Sequence, residues 1–181
     1  MTENGKALLS QYMAVYRAVC EQLERSTGKK PVGYKPMETG RLVKFFNALE
    51  RKETDAFSLV VHIASALIAD QALPNANHRT TLMYVGIVLN RLDIGLGFDL
   101  ERHDKRISRY ISDSKAILAV RATNKRYKAD HLAMTKEFLL EMLGPSQSGR
   151  LGKMSSTSFM TSLSDSSKDL TGLSGSAMDE E

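Results

Sequence analysis

Apolar residues return every three or four positions along most of this chain, and the alternation that marks a half-buried strand is absent. From about Lys6 to Leu23 the stripe is Leu9, Tyr12 or Met13, Tyr16, Val19 or Cys20 and Leu23, one face of a helix. Residues 26–40, STGKKPVGYKPMETG, break it with Gly, Pro and Thr, and form a loop or hold a short hairpin. Arg41 to Arg51 predicts a short helix with Leu42, Phe45, Phe46 and Leu49 on one side. Thr54 is suited to cap the next helix, with Asp55 in its first turn. That helix, DAFSLVVHIASALIAD, is apolar nearly all round and is expected to be buried on several sides.

A turn follows, and then Leu82, Val85, Val88 and Leu89 predict a second core helix that stops at the glycines of DIGLG. Two more are expected, from about Asp104 to Val120 with Ile107, Ile111, Ala116 and Leu118, and from about Lys128 to Leu143 with Leu132, Met134, Phe138, Leu139 and Met142. Gly144-Pro145 ends the last. The expectation is an all-α domain over residues 1–144. Beyond it the pattern fades: 11 of the 37 residues from 145 to 181 are serine and the aromatic content falls to Phe159. Such a segment reads as a disordered tail, with too little apolar area to offset its ordering entropy.

Charge changes this picture little. Residues 1–144 carry 22 Lys+Arg against 16 Asp+Glu, whereas residues 145–181 carry 3 against 5. A mildly basic domain suits a phosphate-bearing ligand or an acidic partner. No dense basic stripe with interleaved aromatics argues for nucleic acid. The apolar runs fall short of the roughly 18–20 residues of a membrane span. The polar start, Met1 to Lys6, is unlike a secretory signal, and the single Cys20 excludes an intrachain disulfide, so the expected compartment is the cytoplasm.

The candidate chemistry sits at the turn, ALPNANHRTT, residues 72–81. A helix starting near Asn77 offers first-turn N–H groups with no intrahelical partner and the positive end of its dipole. Together these make an anion site, and the small Ala76 lets a ligand approach the backbone closely. Arg79 adds a planar, charged fork suited to phosphate, and Thr80 and Thr81 add hydroxyls. The plainer reading is an Asn-capped helix whose Arg79 pairs with a carboxylate. Among the histidines, His62 reads as a packed core residue, and His103 and His131 show no metal-ligand spacing.

The stretch QALPNANHRTT resembles the active-site loop of the Fic/Doc (Fido) family, in its Doc, death-on-curing-like, branch. That family's motif is His-x-Phe-x-Asp/Asn-Gly/Ala-Asn-x-Arg, and Pro74, Asn75, Ala76, Asn77 and Arg79 fall on it, with Thr80 continuing the Doc-like run. The resemblance implies a Fido-type helical bundle with the loop between two central helices, at residues 55–70 and 78–92, and nucleotidyl or phosphoryl transfer from ATP to a protein hydroxyl. It also implies that Ala76, Asn77, His78 and Arg79 hold phosphate and that Asn75 stands near a Mg²⁺ carried by the nucleotide. A protein target and an antitoxin-like protein are the partners it suggests. Two positions depart. Gln71 replaces the histidine that takes the hydroxyl proton, a loss worth roughly 10² to 10⁴-fold, and Leu73 replaces the phenylalanine but keeps an apolar anchor. The expectation is therefore a pseudoenzyme that binds a nucleotide and transfers poorly. The alternatives are a non-enzymatic interaction scaffold and an active transferase using another base, for which His78 is the obvious candidate.

Overall fold

Thr2 accepts a hydrogen bond from the Gly5 amide and starts α1 (Glu3–Thr27), which ends where Gly28, in the left-handed region, turns its N–H back to the Glu24 carbonyl. The computed structural model describes residues 2–49, 51–95 and 105–171, with side chains as far as 163. The further elements are α2 (Thr39–Leu49), α3 (Ala56–Asp70), α4 (Asn77–Asn90), α5 (Lys105–Ala119), α6 (Tyr127–Gly152) and α7 (Ser156–Thr171). The described residues hold no strand, only one isolated bridge between Asp55 and Ser155, so the all-α expectation holds.

The centre of the bundle is α3, with 11 of its 15 residues buried. It packs against α6 and α4, α1 packs against α2 and α4, and α5 against α6. Each large apolar side chain so buried contributes about 1.5–3 kcal/mol. Tyr12, Phe46 and Tyr84, from α1, α2 and α4, meet with ring centroids 5.3 to 6.3 Å apart, and the two pairs that include Tyr84 are edge to face. The cap of α3 is Asp55, whose carboxylate accepts from the Ser58 amide, so it lies one residue beyond the expected Thr54.

Packing settles one open alternative and corrects two expectations. Residues 28–38 form no hairpin; they run irregularly and lend backbone N–H groups to the turn after α3, Tyr34 to the Pro74 carbonyl and Glu38 to that of Ala72. The approach is close at Gly33, where a Cβ would stand 3.0 Å from that of Pro74, a tight contact. On α5 the buried stripe is Ile107, Tyr110, Ser114 and Leu118, with Ala116 exposed, and on α6 His131 and Thr135 are buried where Leu132 is exposed. Polar residues that pair with one another share those stripes, which apolar periodicity does not register.

The second correction is the boundary at 144. Gly144 (φ 68°, ψ 173°) breaks α6, as Gly144-Pro145 suggests, but the chain then re-enters helix, and the Ser148 hydroxyl donates to the Gly144 carbonyl. Ser155 caps α7 through the Ser158 amide, and Ser156 donates to the Lys52 carbonyl. Leu151, Phe159, Met160 and Leu163 join the core, and α7 packs against α1 and α3. Serines that looked like the mark of a solvated tail thus cap a helix and tie it to the α2–α3 link, and the stretch to 163 is part of the fold. The remainder of the expected tail, 172–181, lies outside the described residues.

Candidate functional site

Gln71 ends α3 in the left-handed region (φ 46°), donating its N–H to the Ile68 carbonyl. Ala72 and Leu73 then dive into the core, Leu73 fully, which is the apolar anchor expected of that position. Asn77 latches the turn shut: its Oδ1 accepts from the Leu73 N–H, and its Nδ2 donates to the Leu73 carbonyl and the Tyr34 hydroxyl. Asn75 turns toward α1, where its Oδ1 accepts from the Tyr16 hydroxyl at 3.1 Å and lies 3.7 Å from the Cys20 thiol. Ala76 (φ 53°) hands over to α4 without a side-chain cap, so the first-turn amides lack a side-chain acceptor.

These turns shape an open groove of about 530 Å³, walled by Tyr34, Gln71, Ala76, Asn77, His78 and Arg79 with Leu23, Ile111 and Lys115. Of the expected site residues it gathers Gln71, Ala76, Asn77, His78 and Arg79, but not Asn75. Arg79 is exposed, and neither it nor Lys115 has an ion-pair partner among the described residues. No carboxylate among the described residues lines the groove. With two cations and the positive end of α4, its field favours an anion. Gln71 accepts at Oε1 from Arg121 at 3.1 Å, and an amide offers no site for a substrate proton near neutral pH. Thr80 and Thr81, expected as ligand hydroxyls, are both fully buried: Thr81 pairs with Tyr12, and the Thr80 hydroxyl has no hydrogen-bond partner among the described residues.

Behind the groove, His78 is joined to the core. Its Nε2 lies 2.7 Å from the Ser114 hydroxyl, which lies 2.8 Å from Nε2 of His131, whose Nδ1 lies 2.8 Å from the Ser65 hydroxyl. Ser114 and His131 are wholly inaccessible. Burial holds both imidazoles down to about 4, and for His78 the neighbouring His131 and Lys115 add to it. Both are neutral at pH 7.

The profile of one family matches residues 1–142. The chain belongs to DUF8172, a family of unknown function. No curated protein and no solved structure matches it. The match takes in the groove and the whole buried relay but ends two residues before Gly144, short of the segment that packs back through Leu151 and Phe159.

A magnesium site does not fit this DUF8172 chain. The one oxygen expected near the metal, that of Asn75, is engaged with Tyr16, and no carboxylate among the described residues lines the groove. No cluster of three or more His, Cys, Asp or Glu among the described residues could hold a metal. No helix among them is long and apolar enough to cross a membrane. His62 is half-buried beside Phe45 instead of sealed in the core, with ring centroids 5.9 Å apart, and His103 lies outside the described residues. Lys115, Ser114 and Tyr34 are groove or relay residues that the sequence does not single out; Lys115 was readable only as one more charge on an amphipathic helix.

Proposed function

We propose that this DUF8172 protein is a Fido-like, Doc-type domain that holds a phosphate-bearing ligand, such as a nucleotide, at the start of α4 and is impaired in transferring AMP or phosphate to a protein hydroxyl. The observation that carries the reading is the uncapped first turn of α4 opening beside Arg79 on a groove that no carboxylate among the described residues lines, with Gln71 where a base would stand. In this reading Arg79 and Lys115 bind phosphate oxygens, the α4 amides complete the cradle, and any Mg²⁺ arrives on the ligand. A target hydroxyl attacking phosphorus has no acceptor for its proton at Gln71, so transfer stalls. The protein acts in the cytoplasm, its partners being the nucleotide, a target protein and an antitoxin-like protein that restrains it.

One observation favours the scaffold reading. Asn75 and Asn77 spend their side chains on holding the loop, as they would in a purely structural turn. Calorimetric titration of ATP with Mg²⁺ into the unmodified protein and into Arg79→Ala separates the two. Binding weakened about tenfold or more by the substitution supports the cradle, since a charge-assisted bond contributes about 1.5–3 kcal/mol. No binding by the unmodified protein would leave the scaffold.

A further inference from the structure

We infer that Ser65, His131 and Ser114 are positioning residues that fix the His78 imidazole with its proton on Nδ1, making that nitrogen a hydrogen-bond donor to an anionic oxygen in the groove. The ligand half of this inference rests on the anion reading above. The protonation half follows from counting donors and acceptors along the buried chain.

Ser65 is buried, and the sole hydrogen-bond partner of its hydroxyl among the described residues is Nδ1 of His131. A buried hydroxyl proton left without an acceptor is costly, so Ser65 donates to Nδ1. Thr135, 3.4 Å from the same nitrogen, does not compete, because its own proton is directed to the His131 carbonyl at 2.7 Å while Tyr110 donates to it. A neutral imidazole whose Nδ1 accepts must carry its proton on Nε2. His131 therefore donates to the Ser114 oxygen. Ser114, whose two partners are the two histidines, then donates onward to Nε2 of His78. With Nε2 accepting, neutral His78 carries its proton on Nδ1, and His78 lines the groove.

Each link is set by the one before it, so the order does not depend on the ligand. The consequence for chemistry is specific. His78 presents N–H, not a lone pair, and stands beside Arg79 and Lys115 as a third donor instead of replacing the missing base. A neutral donor also adds a directional bond beside the flexible point charge of Lys115.

The test has two arms. Long-range ¹H–¹⁵N correlation on the full chain at pH 7 is expected to show the proton of His78 on Nδ1 and that of His131 on Nε2. A His78 proton on Nε2 overturns the inference whether or not any ligand binds. In the second arm, ATP with Mg²⁺ is titrated into the unmodified chain, His78→Asn, His78→Gln and Ser114→Ala, with thermal melts confirming that each is folded. The Asn amide stands where Nδ1 was and the Gln amide where Nε2 was. His78→Gln should therefore weaken binding about tenfold while His78→Asn retains part of what Gln loses, and Ser114→Ala should scramble the His78 proton between its nitrogens and weaken binding less than His78→Gln. Equal losses for Asn and Gln, or unchanged binding in Ser114→Ala, overturn the donor role. Absence of binding to the unmodified chain removes the anion reading and the donor role with it, while the spectra still decide the tautomer.

Discussion

His78 divides two regions that obey opposite rules. On its outer side lies the groove, open to solvent, where Arg79 and Lys115 have no ionic partner among the described residues. On its inner side lies a chain of hydroxyls and a second imidazole sealed between α3, α4, α5 and α6, where each group from Ser114 to Ser65 is paired. Sealed polar groups must be satisfied by the protein because no solvent reaches them. Exposed ones are satisfied by water until a ligand displaces it. Readiness for a ligand is therefore found in donors that the fold leaves unspent, and by that measure Asn75 and Asn77, the most motif-like residues of the loop, are already spent.

The largest test of the division adds a proton acceptor to the groove at Gln71. Gln71→His places an imidazole at the left-handed end of α3, a conformation histidine tolerates better than most residues. Transfer of label from ATP to a protein hydroxyl should rise by roughly 10² to 10⁴-fold over the unmodified chain. No gain, in a variant that still binds ATP, would mean that the groove does not place a hydroxyl against the phosphate at all.

Next in size is the cost of opening the sealed side. His131→Leu strips the Ser65 and Ser114 hydroxyls of their imidazole partner and should lower stability by about 2–4 kcal/mol in urea denaturation. Arg79→Ala, in the groove, should change it by less than about 0.5 kcal/mol. Comparable losses from the two would erase the distinction between the regions.

The same contrast governs what was legible in the sequence. The turn could be read because its residues, 71 to 81, are consecutive, and because a helix start is dictated by local chemistry. The relay could not. Its members come from four helices and are separated by up to 66 residues, and each looks like an isolated polar interruption of an apolar stripe. That is why apolar periodicity phases α5 and α6 partly on Ala116 and Leu132, which are exposed, and passes over Ser114, His131 and Thr135. Nor does composition reveal that Asn75 faces Tyr16 while Arg79 faces the groove, since that depends on the left-handed turn at Ala76. Serine content misled at 145–163 for a related reason: capping serines and solvated serines are alike until the helix they cap is seen to pack.

A pH series sharpens the comparison on the sealed side. In the unfolded chain His78 and His131 take up protons near pH 6.5, but in the folded chain only near 4. Across that window the unfolded state binds more protons, so the contribution of the two residues is intact above pH 6.5 and is lost as the pH falls through 4. The loss is on the order of 2 kcal/mol for each histidine. Chemical denaturation between pH 7 and 4 should show it, and His131→Leu should flatten the slope by about half. An unchanged slope would mean that His131 is not the neutral, buried group described.

The smallest effect concerns a violation of the sealed side's rule. Thr80 is fully buried one residue beyond Arg79, and its hydroxyl has no partner among the described residues. An unpaired buried hydroxyl costs about 1–3 kcal/mol relative to a paired one, and valine has nearly the same shape without it. If the hydroxyl belongs only to the core, Thr80→Val should raise stability by about 1 kcal/mol and leave ATP affinity alone, as thermal melts and the same titration would show. If affinity falls instead while the fold is kept, Thr80 swings outward when the groove is filled, and the boundary between the two regions moves one residue deeper into α4.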